Sequence, residues 1–207
     1  MNSEMVFDPS EPEIDMNEFK REDWGYSIYS SPGEELKEEL PPKMPKPLGK
    51  AFKVRGYVDA DHAGELLTRR SRTGFIIFLN KSPIYWHSKK NQSIETSTFG
   101  SEFMAMKQVT EYMRGLRYKL RMFGIPIDGP AFIYGDNQSV LCNTSMPKST
   151  LKKKSQSIAF HFVREGCARD EWRTTYVNTH LNVADLMTKP LAGDKRWFFI
   201  RMLLHHL

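Results

Sequence analysis

Hydrophobic and polar positions change rhythm several times after Gly49. Residues 52–59 (FKVRGYVD) read as a strand. Gly74–Leu79 (GFIIFL) is short, β-branched and aromatic, the pattern of a buried strand. Pro83–His87 (PIYWH) is a third strand, joined to the second through Asn80-Lys81-Ser82, which suits a hairpin turn. From 101 to 123 the period lengthens: Phe103, Met106, Val109, Met113, Leu116, Leu120 and Phe123 recur at steps of three and four. That spacing predicts an amphipathic helix of about six turns. Ser97 or Thr98 can cap its start, and Gly124 followed by Pro126 stops it. Ala131–Gly135 is a fourth strand ending at Asp136, and Asn137–Asn143 a short helix. Lys152–Asp170 is mostly helical with Ile158, Phe162 and Val163 inward. Arg173–Asn178 is a fifth strand, and Val183–Leu207 holds one or two closing helices.

Three hairpin-linked strands followed by two strands on helical crossovers predict an α/β fold: a mixed five-stranded sheet with helices on both faces. A helical crossover returns the chain in the same direction, so the fourth and fifth strands should run parallel to the first. Ahead of this body, residues 1–50 read as an acidic, largely irregular arm. It ends in a Pro-rich linker, Pro41-Pro42-Lys43-Met44-Pro45-Lys46-Pro47. Trp24, Tyr26, Ile28 and Tyr29 are its apolar exceptions and can dock on the body. The body spans residues 51–190, and a C-terminal helix takes 191–207.

Charge sharpens the division. Residues 1–42 carry 3 basic and 12 acidic side chains, a net of −9, whereas 43–207 carry 27 and 13, a net of +14. A basic globular body is the electrostatic footprint of a polyanion binder, and an acidic arm is able to cover a basic groove. No apolar run approaches the ~18 residues of a membrane span. Met1–Pro12 is acidic and polar, unlike a secretory signal. Two cysteines, Cys142 and Cys167, exclude a disulfide scaffold and fit a reducing compartment. The expectation is a protein that acts inside the cell, in the cytoplasm.

Acids are scarce in the body, so their places matter. Asp59 closes the first strand, Glu102 opens the long helix, Asp136 closes the fourth strand and Asp185 opens a C-terminal helix. Singly, each has an ordinary explanation as a turn residue, a first-turn acid or a cap. Jointly, four carboxylates at one end of a sheet repel unless cations neutralise them. Hard divalent cations take oxygen ligands, and a pair of them promotes phosphodiester cleavage.

Seven segments carry a resemblance. They are Tyr57-Val58-Asp59-Ala60-Asp61, Arg69–Phe75, Trp86-His87-Ser88-Lys89-Lys90, Ser101-Glu102-Phe103-Met104-Ala105, Gly135-Asp136-Asn137-Gln138-Ser139, Phe160–Glu165 and Ala184–Pro190. In this order, over residues 52–190, the chain resembles the C-terminal ribonuclease H domain of copia-type retrotransposon polyproteins. The resemblance implies a ribonuclease H-like fold that cuts the RNA strand of RNA–DNA hybrids during reverse transcription. It implies two Mg²⁺ ions, with Mn²⁺ as substitute, on Asp59, Glu102, Asp136 and Asp185, while Asp61 stands outside the metal site. It assigns His180 to product release and makes the reverse transcriptase domain of the same polyprotein a partner beside the hybrid. Gly100 stands where many family members carry a further acid.

Candidate hybrid contacts are Arg69, Arg70, Ser71, Thr73, Lys89, Lys90, Asn137 and Gln138, with Lys152, Lys153 and Lys154 as a further phosphate-binding handle. Phe75, Tyr85 and Trp86 read as core rather than base-stacking groups. His62, His87 and His161 have no zinc-like spacing. A polymerase is excluded, because Ala60 separates Asp59 from Asp61 and the chain lacks the length. An integrase would order its acids differently. The alternative from another class is a catalytically inactive nucleic-acid-binding remnant of a retroelement polyprotein.

Overall fold

The computed structural model describes Tyr29 and residues 36–204, except 66, 93, 147–148 and 152–155. Trp24, Tyr26 and Ile28, and the lysines Lys152, Lys153 and Lys154, lie outside the described residues. The elements are β1 (Val54–Asp61), β2 (Arg72–Leu79), β3 (Ser82–Lys90), α1 (Thr98–Met122), β4 (Ala131–Gly135), α2 (Gln138–Ser145), α3 (Ser157–Ala168), β5 (Trp172–Tyr176), α4 (Asp185–Thr188) and α5 (Gly193–Leu204). They form one mixed sheet in the order β3-β2-β1-β4-β5. The hairpin strands are antiparallel, and β4 and β5 run parallel to β1.

Side chains on β1, β2 and β4 alternate between two cores. Val54, Val58, Phe75, Ile77, Ala131 and Ile133 meet α1 and α3 on one face through Phe103, Met106, Val109, Phe160 and Val163. Tyr57, Ile76, Phe78 and Tyr134 meet Val183, Phe199 and Met202 on the other. Helices cover both faces, so the central strands are buried almost throughout rather than alternating with water.

Ser97 caps α1, its hydroxyl accepting from Gly100 N–H at 3.1 Å. The stripe down α1 is buried as its period requires, but Phe123 sits at the C-cap and is 78% exposed. The inward face of α3 is Ala159, Phe160, Val163, Arg164 and Cys167, whereas Ile158 points to solvent. The expected inward set placed Ile158 on the wrong side, because only the 159–160–163–164–167 stripe matches the helical period facing β5. Gly166 lets α3 approach β5, since a Cβ there would fall 1.9 Å from Trp172 Cζ2. The Trp172 indole donates to Val163 O at 3.0 Å.

The end of the arm belongs to the packed body. Leu36 joins the α1–α3 core, and Tyr29 donates or accepts a 2.9 Å hydrogen bond with His161 Nδ1. The Glu38 carboxylate receives two bonds from buried Arg117, at 2.8 and 2.7 Å, and pairs with Arg121. Those two guanidinium partners outweigh burial and hold Glu38 below its ordinary pKa.

Candidate metal centre and nucleic-acid interface

Parallel pairing of β1 with β4 carries Asp59 and Asp136 to the same end of the sheet. Asp59 sits inside β1, two residues before its last residue, and Asp136 follows β4 directly. Glu102 lies in the second turn of α1 rather than at its opening, and comes in over the β1 end. Carboxylate oxygens of Asp59, Glu102 and Asp136 all lie within 4.8 Å of one another. Asp59 is 2% exposed and Glu102 9%.

Crowding and burial raise the carboxyl pKa values here. Burial pushes the Asp59 carboxyl up, against the Thr188 hydroxyl and the Lys189 ammonium, to about 6. Burial and then the charges of Asp59 and Asp136 push Glu102 up to about 9. Two buried carboxylates that resist ionising beside a third are an oxygen-donor set that the neighbouring Lys189 ammonium does not fully compensate. That donor set fits Mg²⁺ or Mn²⁺.

Asp185 is placed differently. It opens α4, is fully buried, and stands outside that group of three. Lys189 Nζ lies 2.7 Å from its Oδ1 and Lys195 Nζ 2.5 Å from its Oδ2. Burial raises its pKa, but the two lysines outweigh burial and hold it below the ordinary value. A row across the sheet explains how α4 is seated. Asp59, Gly74 and Ser88 are cross-strand partners. Thr188 donates its hydroxyl to the Asp59 carboxylate, and Ser88 donates to Met187 O at 2.6 Å. Gly74 between them leaves no Cβ, which would fall 2.6 Å from Met187 Cβ. Buried Asn182 adds a bond from Nδ2 to Val58 O at 2.9 Å and accepts from Ala184 N–H.

A groove of about 390 Å³ opens beside Glu102 and Asp136, lined also by Thr98, Asn137, Gln138, Ser139, Tyr176 and Thr179. Asn137 and Gln138 thus reach the site, Asn137 also capping α2 through Oδ1. His180 is exposed next to Thr179, its N–H donating to Asn178 Oδ1 at 2.9 Å. The register Asp61–Arg72–Lys90 brings the loop holding Arg69 and Arg70, and the β3 end holding Lys89 and Lys90, to the carboxylate end of the sheet. Lys89 and Lys90 are exposed, Lys90 pairing with Glu65 at 2.5 Å.

Ser71 and Thr73 do not reach that surface. Both are fully buried. Ser71 Oγ meets Ser101 Oγ at 2.8 Å, and His62 Nδ1 reaches the same Ser101 at 2.8 Å. Thr73 donates to Asn91 Oδ1 at 2.9 Å. Ser71 ties the turn after β1 to α1, and Thr73 ties β2 to the residue after β3. Trp86 also departs from expectation. It is 65% exposed, because β3 is the sheet edge and that part of its face is uncovered.

Residues 36–40 sit away from the groove. Glu38 clamps Arg117 and Arg121, at least 15 residues along α1 from Glu102, or about 22 Å at 1.5 Å per residue. Covering of the groove is therefore not the work of this described stretch. Several site residues escaped sequence reasoning. Lys189 had a signal, standing four residues after Asp185 on one helical face. Lys195, Thr188 and Tyr176 had none.

No family model matches the sequence. Over 144 residues, 70% of the chain, it is 31% identical to the retrovirus-related Pol polyprotein from transposon RE1 of Arabidopsis thaliana. It is 29% identical, over the same length, to the corresponding polyprotein from transposon RE2. The chain spans 10% of either relative's length. Among solved structures it is similar to an RNase H1 isolated from compost, with a TM-score of 0.51 and 16% identity over 66% of this chain and 92% of that one. Another structure of that compost RNase H1, in complex with an RNA/DNA hybrid, gives a TM-score of 0.51 at 14% identity, covering 66% of this chain and 94% of that one.

Proposed function

This chain belongs with the retrovirus-related Pol polyproteins of transposons, as a portion with the ribonuclease H fold, and from that premise we propose that it is a metal-dependent endonuclease hydrolysing the RNA strand of RNA–DNA hybrids. The observation that carries the reading is the meeting of Asp59, Glu102 and Asp136 within 4.8 Å at the end of a basic body.

The chain's own residues divide the work. Asp59, Glu102 and Asp136 hold the cation position, and burial keeps it partly dry. Mg²⁺ or Mn²⁺ held there, two ions in the working complex, would supply an activated water and stabilise the leaving 3′ oxygen. Thr98, Asn137, Gln138, Ser139 and Tyr176 line the path of the cut strand and present hydroxyls and amides to its sugars. The 2′-hydroxyl is what distinguishes RNA there. Arg69, Arg70, Lys89 and Lys90 take phosphates at the same end, and His180 at the groove rim assists release of product. The reverse transcriptase domain of the same polyprotein is the partner that would deliver the hybrid, inside the cell.

The test is cleavage of a labelled RNA–DNA hybrid by the purified chain with Mg²⁺. RNA strand cutting, abolished by EDTA and absent on duplex DNA, is the expected result. Hybrid binding without cutting would instead support the inactive remnant. A second measurement checks the interface. Changing Lys89 and Lys90 together to Ala should weaken hybrid binding and make the slope of log affinity against log salt shallower by up to about 2. An unchanged slope removes both lysines from the contact surface.

A further inference from the structure

Lys189 and Lys195 carry no task in the reading above, yet both reach into the site. Lys189 Nζ lies 2.7 Å from Asp185 Oδ1 and 3.6 Å from Asp59 Oδ2, so one ammonium touches two carboxylates from different elements. Lys195 Nζ covers the other oxygen of Asp185 at 2.5 Å and also donates to Thr179 O at 3.3 Å. Each oxygen of Asp185 thereby lies within ion-pair distance of an ammonium group. Asp59, Glu102 and Asp136 remain as the separate group able to hold an ion.

Charge balance points the same way. With all four carboxylates ionised, as a bound cation requires, two ammoniums leave two negative charges, which one divalent cation balances. A second divalent ion between Asp59 and Asp185 would have to share that space with Lys189, and like charges in a poorly solvated pocket exclude one another. Lysine suits such a place, being a compact point charge on a flexible stem. The Lys189 side chain is 36% exposed, so it has room to swing out toward water.

We propose that Lys189 takes the place of a second cation between Asp59 and Asp185, so that the protein free of nucleic acid binds one divalent ion, at Asp59, Glu102 and Asp136. This rests on the metal-site reading above. It makes Lys189 a residue that sets cation number, and the second ion depends on its displacement.

Counting bound Mn²⁺ tests this without any activity. Calorimetric titration, with electron paramagnetic resonance of the unbound ion, should give one Mn²⁺ per parent chain, two for Lys189→Gln and one for Lys189→Arg. Asp136→Asn should abolish or strongly weaken the parent's single site. Two ions on the parent, or one ion on a folded Lys189→Gln, overturns the proposal while leaving the metal site intact. No ion on the parent, or one that ignores Asp136→Asn, overturns the metal-site reading and this proposal with it. If Lys189→Gln does not fold, Lys189→Met replaces it, and a count of two on the parent refutes the idea with no variant at all.

Discussion

Asp136→Asn is expected to lower Mg²⁺-dependent cleavage of the RNA strand by at least ~10²–10³-fold, the scale of losing one group that stabilises charge in the transition state. Asn keeps the shape of the side chain and its place after β4, and removes one of the three charges within 4.8 Å. The fold should survive, because Asp136 is only half-buried and its neighbour Asn137, not Asp136 itself, caps α2. Asp61→Asn is the matched control. Asp61 ends β1 two residues beyond Asp59 and stands outside the carboxylate group. Its replacement should leave the rate within about threefold, the scale of substitutions away from special features. Equal losses in both variants would mean that the site is centred elsewhere. Cleavage that survives Asp136→Asn would remove that residue from the metal centre.

Parallel β4 and β5 and the meeting of Asp59 with Asp136 were legible because they follow from crossover geometry. A helix between two strands returns the chain in the same direction, which lets the fourth strand lie parallel beside the first. Glu102 was legible as a helix residue over that end, although one turn too early. The misses share a cause: they depend on what a side chain meets rather than on its own type. Ser71 and Thr73 looked like surface hydroxyls in a polar stretch, but Ser101 and Asn91 satisfy them and make burial cheap. Trp86 looked like core, yet it faces out from an edge strand that no helix covers at that point. The lysine clasp on Asp185 needs α4 and α5 in place before Lys195 can reach a residue ten positions earlier. Periodicity speaks to which face is buried, whereas partner identity is set by tertiary packing.

Glu102→Gln should abolish the pH dependence of stability in the metal-free protein above about pH 6. Folded Glu102 titrates at about 9 against an ordinary 4.5, so between those values the native state binds a proton that the unfolded chain has released. Stability then falls as pH rises, fully present below pH 4.5 and lost through pH 9, at up to about 1.4 kcal/mol per pH unit. Between pH 5 and 8 in EDTA the parent should lose about 2–4 kcal/mol by this route. Gln carries no proton to lose, so its variant should be flat above pH 6. Below that, Asp59, with its own pKa raised to about 6, still gives a falling slope. Asp185, held low by its lysines, acts with the opposite sign and contributes only at acid pH. At pH 8 without metal the variant should therefore be the more stable protein. Mn²⁺ should erase that advantage, because a cation among the three carboxylates stabilises the ionised parent and has less to bind in the variant. Chemical denaturation at pH 5 and 8, with EDTA or Mn²⁺, reads all four corners. A parent whose stability does not change between pH 5 and 8 in EDTA would mean that Glu102 is not an uncompensated buried acid, and the strongest electrostatic reason for a cation there would be gone.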